Sequence, residues 1–528
     1  MKTSPLVIRS AIFAALGGLL FGFDTAVISG TVDALKEVFQ LNDWWLGFTV
    51  AIALIGTILG AATAQIPSNR YGRKPTLIIM AVFYFISAVG SAFPWDWYSF
   101  LFFRFLGGIA VGASSVVSPL YTAEISPAKT RGVLVAVTQF NIVFGILLAF
   151  FSNYIITLFN LGGTEWRWMF GVEAFPAALF FFVLFLVPES PRWLIGKGKV
   201  EQARSIINAL GTDGGSVDDE VQTIQNAIAE EESQGKEAFF CYRLRFPIFL
   251  AICMAAFNQL SGINAILYYA PKVFTIAGAS KELSMFFPVI IGLTNLVFTI
   301  AAMFVIDYFG RRKLMFVGSL GYILSMGTVA LTFIVYAPEF NMSIKQVAVN
   351  EAVEKVEKAT KYLASVKPEE KEFGELELKI ATADLKKAEA EEKTATEDYY
   401  KKRNMTAQSE HSEAVTVPIT GIVTVLIGLM VFIASHAFGQ GACIWVFIGE
   451  IFPNKVRAQG QALGSFVHWV LCAAISMLFP PLLAWLGPAN IFLVFSGLMV
   501  FQLIWVIALM PETKQIPLEE MQKRLGIT

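Results

Sequence analysis

Apolar residues run along this chain in stretches of about twenty, separated by polar turns, and roughly twelve such stretches can be read. They fall near 10–32, 46–66, 76–93, 99–121, 133–158, 168–187, 247–271, 284–306, 314–336, 417–447, 459–485 and 490–510. A helix of about 20 residues crosses a bilayer core. Hydrocarbon gives the backbone no partner, so each stretch is predicted to be a helix that satisfies its own amides. No small-residue cleavage signal follows the first stretch, which therefore reads as a retained span.

Two long polar intervals break the pattern. Residues 188–246 are expected to form a cytoplasmic linker, with short helices over 200–210 and 221–232 and a glycine-rich break at 211–215. Residues 339–413 carry 17 acidic and 13 basic side chains, so 30 of these 75 positions are charged. Apolar positions at helical spacing predict an antiparallel helix pair there, broken at Lys367-Pro368 and standing on the outer side. It is either a solvated excursion or a docking element for a protein partner. Asn341 and Asn404 each begin a glycosylation pattern.

The polar turns contain signatures that occur twice, in the same order. Asn69-Arg-Tyr-Gly-Arg-Lys74 is echoed by Asp307-Tyr-Phe-Gly-Arg-Arg-Lys313, and the Glu124-Ile-Ser-Pro run by Glu450-Ile-Phe-Pro. Pro188-Glu-Ser is echoed by Pro511-Glu-Thr. Gly72 to Gly310 is a shift of 310 − 72 = 238, Glu124 to Glu450 a shift of 450 − 124 = 326, and Glu189 to Glu512 one of 323. The jump falls where the charged interval lies and marks 339–413 as an insertion in the second of two related halves. A membrane protein in two related halves is expected to be a secondary transporter with its site between them.

Composition narrows this further. Hydrophobic residues make up 55% and charged residues 15%, with a formal net charge of −1, which gives no reason to expect nucleic acid as a partner. The four cysteines have no metal-ligand spacing, and no phosphate-binding loop is present, so no metal, cofactor or enzymatic activity is implied. Arg70, Arg73, Lys74, Lys129, Arg131, Arg311, Arg312, Lys313, Lys455 and Arg457 fall on one side of a twelve-span chain. The positive-inside rule then puts both termini in the cytoplasm.

Charges inside spans cost about 2.5–3.5 kcal/mol and need a reason. Asp24, Arg104 and Glu173 lie within the first, fourth and sixth spans. Asp24 and Arg104 either neutralise each other or act as a proton switch, with burial raising and the guanidinium lowering the tendency of Asp24 to hold a proton. The seventh span carries Asn258, Gln259 and Asn264 around Gly262, with Pro271 beyond. Gln139, Asn295, Trp445, His468 and Trp469 add amides, an imidazole and indoles. Amides donate and accept as sugar hydroxyls do, and aromatic faces pack on sugar C–H groups, so a neutral polyhydroxylated ligand is expected.

These residues resemble the sugar porter family of the major facilitator superfamily, most nearly its bacterial proton–xylose symporters. The resemblance rests on Gly17 to Thr31, Gly72-Arg-Lys, Arg104-Phe-Leu-Gly-Gly, Pro119 to Pro127, Pro188 to Leu194, Gln259 to Pro271, Gly310-Arg-Arg and Pro511-Glu-Thr-Lys. It implies an all-α membrane fold of twelve helices in two pseudo-symmetric six-helix bundles, 1–187 and 247–528, joined by 188–246 and interrupted by 339–413. It implies import of a neutral monosaccharide with a proton, by a monomer in the bacterial inner membrane, or else facilitative transport of a sugar or inositol-like polyol. By position, Gln139, Asn258, Gln259, Asn264, Tyr268, Asn295, Trp445, His468 and Trp469 resemble the sugar set. Asp24, Arg104 and Glu173 resemble the proton-coupling group. Arg73, Glu124, Arg131, Glu189, Arg192, Arg311, Glu450 and Arg457 resemble the gating ion-pair network. Asn258, Ala442 and His468 depart from the family pattern and leave the identity of the sugar open.

Overall fold

The computed structural model describes residues 4–127, 130–211, 216–233, 238–365, 371–402, 419–453, 455–516 and 518–527. Among them every regular element is helical. Among the described residues, eleven helical segments are long and apolar enough to cross a membrane. In chain order they are Pro5–Gly30, Asp43–Thr63, Arg73–Ala92, Trp97–Ile125, Arg131–Leu158, Gly162–Leu184, Tyr242–Ile276, Lys281–Ile306, Arg311–Val335, Ile419–Ile451 and Arg457–Ala508, here called the first to the eleventh segment. The last is 52 residues long, and its one non-helical residue is Gly487. At 1.5 Å per residue that is roughly 78 Å of helix, more than twice the hydrocarbon thickness. The sixth segment, read as one stretch in the sequence, breaks between Glu165–Gly171 and Ala174–Leu184, which leaves Glu173 at the break.

Small residues let these helices approach closely where lipid provides no hydrophobic drive. A Cβ at Gly22 would lie 1.9 Å from the Ile142 carbonyl oxygen, which fixes the first segment against the fifth. Gly108 holds the fourth against Ala53 of the second in the same way. The two halves touch where Gly47 meets Met477 and Gly292 meets Leu147.

The apolar core shows how the halves are arranged. One cluster mixes both halves, joining Phe23, Val27 and Phe170 to Ile266, Tyr269 and Phe479. A second, around Leu77, Tyr121 and Leu184, draws on the first half and on Leu210 of the linker. A third, around Leu314, Phe447 and Met510, draws on the second and on Phe239 and Leu244 of the linker. The halves therefore share a core at one end and part at the end bearing the repeated signatures. Ion pairs join the halves at the shared end: Lys272 to Asp33 at 2.8 Å and Lys281 to Glu165 at 2.9 Å.

The expected linker helices form as Val200–Leu210 and Val217–Ser233, burying Ala203, Ile207 and Val221 against Leu194 and Ile195. The charged interval forms helices Ala337–Ser365 and Lys371–Lys402. Lys345 pairs with Glu391 at 2.6 Å, and Gly374 lies against Leu363, so the two run antiparallel. The base of this hairpin is not solvated, because Phe340 and Met342 are buried, and Lys355 reaches Glu37 of the other half at 3.1 Å. The Lys367-Pro368 break and the Asn404 pattern lie outside the described residues.

Candidate functional site

Asp24 is brought into the interior by the close-packed glycine face of the first segment, and Arg104 meets it from the fourth. Arg104 Nη1 donates to Asp24 Oδ1 at 2.5 Å, and Nη2 donates to the Asp24 backbone oxygen at 3.3 Å. Both side chains are about 2% exposed. Two buried opposite charges at this distance neutralise each other, while losing one partner would strand the other at a cost of several kcal/mol. The guanidinium also lies 5.2 Å from the centre of the Phe170 ring. Glu173 is buried with Asp24 and Arg104 as its charged neighbours, and its Oε1 has no hydrogen-bond partner among the described residues. A small cavity beside the pair is lined by Asp24, Arg104 and Thr57 of the first half and by Tyr268 and Trp469 of the second.

The seventh segment supplies the amides. Gly262 has φ +83°, and this left-handed residue breaks the helix between Leu260 and Ile263. Gln259 and Asn264 are thereby placed on either side of an opening, where Asn264 Nδ2 donates to Gln259 Oε1 at 2.8 Å. Gln259 Nε2 donates to Asn258 Oδ1 at 2.8 Å and lies 3.2 Å from His468 Nδ1. The His468 ring is edge-on to Trp469 at 5.0 Å and 5.4 Å from Trp445, while Trp469 contacts Phe21 across the halves at 5.6 Å. Pro271 does not end the helix: a kink at Tyr269 absorbs it and the helix continues to Ile276. Asn258, Gln259, Asn264, Trp445, His468 and Trp469 are thus joined through Gln259 and His468, with Tyr268 beside the Asp24 pair. Gln139 is exposed, and no hydrogen bond or ring contact joins it to this cluster among the described residues. Asn295 is buried and accepts from Thr299 at 3.5 Å.

At the signature end the repeated motifs have a common geometry. Gly72 and Gly310 adopt φ +109° and +88°, and each is followed directly by a helix. Glu189 Oε1 accepts the Arg73 amide at 3.0 Å, and Glu512 Oε1 accepts the Arg311 amide at 2.9 Å. The glutamate that closes each half therefore caps a helix at its positive end. Burial pushes the Glu189 carboxyl above the ordinary range, opposed by hydrogen bonds from the Ser190, Lys74 and Arg73 amides and by the Arg73 charge. Arg73 pairs with Glu124 at 2.8 Å and Arg311 with Glu450 at 2.9 Å, each within its own half. Arg131 donates to the Ser126 carbonyl at 3.4 Å, and Arg457 leaves Nε and Nη2 without hydrogen bonds among the described residues. Arg73, Glu124, Arg131 and Arg192 line a cavity of about 600 Å³ that also touches Ala458 of the other half.

A family profile described as sugar (and other) transporter matches residues 10–349 and 405–525. The chain belongs to the sugar (and other) transporter family. Within it, the chain is 32% identical to the D-xylose-proton symporter of Escherichia coli (strain K12), over 98% of this chain and 96% of that one. It is 32% identical to a glucose transport protein of Synechocystis, over 96% and 95%. A solved xylose transporter from E. coli in a partially occluded inward-open conformation superposes with a TM-score of 0.73 at 30% identity, over 97% of this chain and all of that one. A proton:xylose symporter of the major facilitator superfamily, bound to 6-bromo-6-deoxy-D-glucose, gives 0.69 at 31% identity, over 99% of this chain and all of that one. This sugar transporter shares the major facilitator fold.

Sequence reasoning missed a polar network in the second half. Gln440 Nε2 donates to Gln502 Oε1 at 2.5 Å, and Gln502 Nε2 donates to Ser319 Oγ at 2.9 Å. The Tyr322 hydroxyl lies 2.7 Å from His436 Nδ1. The available signal was Gln502, a lone amide deep in an apolar stretch.

Proposed function

We propose that this sugar transporter is a proton-coupled symporter that imports a neutral monosaccharide by alternating access. The observation that carries the reading is the Asp24–Arg104 pair, which borders a cavity also lined by Tyr268 and Trp469. Whatever changes the charge of Asp24 changes what Arg104 must pair with, beside the residues where the halves meet. Protonation of Asp24 releases Arg104 and shifts the balance between the two openings, which is a population shift. Glu173, next to the pair, serves as proton relay.

The sugar set is Gln139, Asn258, Gln259, Asn264, Tyr268, Asn295, Trp445, His468 and Trp469. The amides already bond to one another, so a ligand can exchange those bonds for its own hydroxyls. Arg73, Glu124, Arg131, Glu189, Arg192, Arg311, Glu450 and Arg457 form the gate at the signature end. That end is cytoplasmic, as its excess of Lys and Arg supports, and the parted cores there support an inward-facing state. The two bundles are 1–187 and 247–528, joined by 188–246. The 52-residue segment is two spans meeting at Gly487, which brings the count to twelve. The hairpin within 339–413 is an outer insertion, in keeping with the gap in the family match between 349 and 405. The transporter acts as a monomer in the bacterial inner membrane with both termini in the cytoplasm.

Asp24→Asn tests the coupling role. The neutral amide is expected to retain sugar counterflow within about threefold while abolishing accumulation driven by a proton gradient. Equal loss of both activities would reduce the pair to a structural role.

A further inference from the structure

The first half contains a row of buried hydroxyls that neither the sugar site nor the gate uses. Tyr84, on the third segment, is fully buried, and its hydroxyl lies 2.8 Å from Ser114 Oγ on the fourth. Ser114 spends its own hydrogen on the Val111 carbonyl at 3.1 Å, so Tyr84 donates to Ser114 and its lone pairs remain available. The charges facing Tyr84 are Asp24 from the first segment and Glu173 from the sixth, with Arg104 of the fourth bonded to Asp24.

Beyond Ser114 the same helix places Ser118 one turn nearer the signature end, then Tyr121, whose hydroxyl donates to the Pro188 carbonyl at 2.8 Å. Gly17 of the first segment keeps this face open: a Cβ there would lie 2.6 Å from Ser118 Oγ and 3.5 Å from Ser114 Cβ. Ser10, two turns before Gly17, comes against Tyr121. The Ser118 hydroxyl is completely buried and has no protein partner among the described residues, and the Ser10 hydroxyl, equally buried, has Tyr121 beside it. Buried hydroxyls are normally bonded, to protein or to ordered water.

The second half provides the contrast. Tyr322 follows Tyr84 by 322 − 84 = 238 and Gln440 follows Ser114 by 440 − 114 = 326, the shifts of the repeated signatures. Tyr322 donates to Gln440 Oε1 at 3.3 Å and lies 2.7 Å from His436 Nδ1, but there the network closes on Gln502, Ser319 and His436. The pair in the first half instead runs from two carboxylates toward the Pro188-Glu189 corner.

We propose that the proton leaves the buried carboxylates through the interior of the first half, with Tyr84 as its first carrier, and not through the sugar cavity. This rests on the symport reading above. The Glu173 carboxyl gives its proton to Tyr84 Oη as Tyr84 passes its own to Ser114 Oγ; Ser114 turns its hydrogen from the Val111 carbonyl to Ser118 Oγ, and Ser118 gives its own to water at the signature end. Only O–H bonds break and form, and Tyr84 ends neutral.

The test compares Tyr84→Phe and Ser118→Ala with the parent in proteoliposomes, using labelled D-xylose, L-arabinose and D-glucose. Gradient-driven uptake and its pH profile are measured beside counterflow at equal pH. Tyr84→Phe is expected to slow driven uptake at least about 10-fold and Ser118→Ala to slow it in the same sense, with counterflow within about twofold of the parent. Unchanged driven uptake in both variants overturns the path, as does an equal fall of uptake and counterflow. If the parent itself shows no driven uptake, the symport reading fails, and the path with it.

Discussion

Single side chains at the signature end act through their charge. Glu189 accepts the amides that open the third segment, yet its burial outweighs those bonds and holds its carboxyl above the ordinary range. A raised carboxylate contributes stability that is present below the ordinary glutamate range and is lost as pH rises through the folded value. Glu189→Gln is neutral at every pH. The variant is therefore expected to match the parent in acid and to gain on it as pH rises above that range, measured by thermal unfolding in detergent across a pH series. A margin that moves the other way would mean that the capping bonds outweigh burial. At this scale the sequence was informative where a charge stood in an apolar stretch. Asp24, Arg104 and Glu173 were legible because hydrocarbon makes such residues expensive. The network of Gln440 and Gln502 was not, because the bonds that make it one, to each other and to Ser319, join residues far apart in the chain.

Helices here are shaped by a few backbone positions. Gly262 carries φ +83°, and a Cβ on it would lie 2.8 Å from the Phe495 ring. Left-handed backbone costs an L-residue about 1–2 kcal/mol before any clash. Gly262→Ala is therefore expected to destabilise the protein by about 1–3 kcal/mol. It should also weaken sugar binding, because Gln259 and Asn264 flank the opening. Thermal unfolding and counterflow with labelled sugar check the two effects, and a stable variant with unaltered counterflow would show that the break is not part of the site. The elements were largely legible: period and length located the spans, and the linker helix Val200–Leu210 came out at its expected bounds. Three features escaped. The break at Glu173 lies in a stretch without polar punctuation. Pro271 was read as an end or a kink, and only the geometry at Tyr269 distinguishes the two. The hairpin was read as either a solvated excursion or a docking element, and the burial of Phe340 and Met342 at its base depends on tertiary contacts that periodicity does not contain.

Taken whole, the molecule is two related halves with unequal chemistry. The first holds the buried ion pair, the second the amides and indoles, and they meet at a cavity bordered by Asp24, Tyr268 and Trp469. The repeat pointed to a two-half architecture before any coordinates, and the matching signatures do adopt matching local geometry at Gly72 and Gly310. Which end was closed was not legible. That depends on Lys272–Asp33, Lys281–Glu165 and the shared apolar cluster, contacts between residues far apart in the chain. The central claim is that sugar and proton move together through this arrangement. The measurement that tests it most directly is uptake of labelled D-xylose, L-arabinose, D-glucose and myo-inositol into proteoliposomes, with and without an inward proton gradient. The account predicts accumulation of at least one monosaccharide above its equilibrium level, collapsed by a protonophore. Equilibration at the same rate with and without the gradient would contradict it and leave a facilitative carrier.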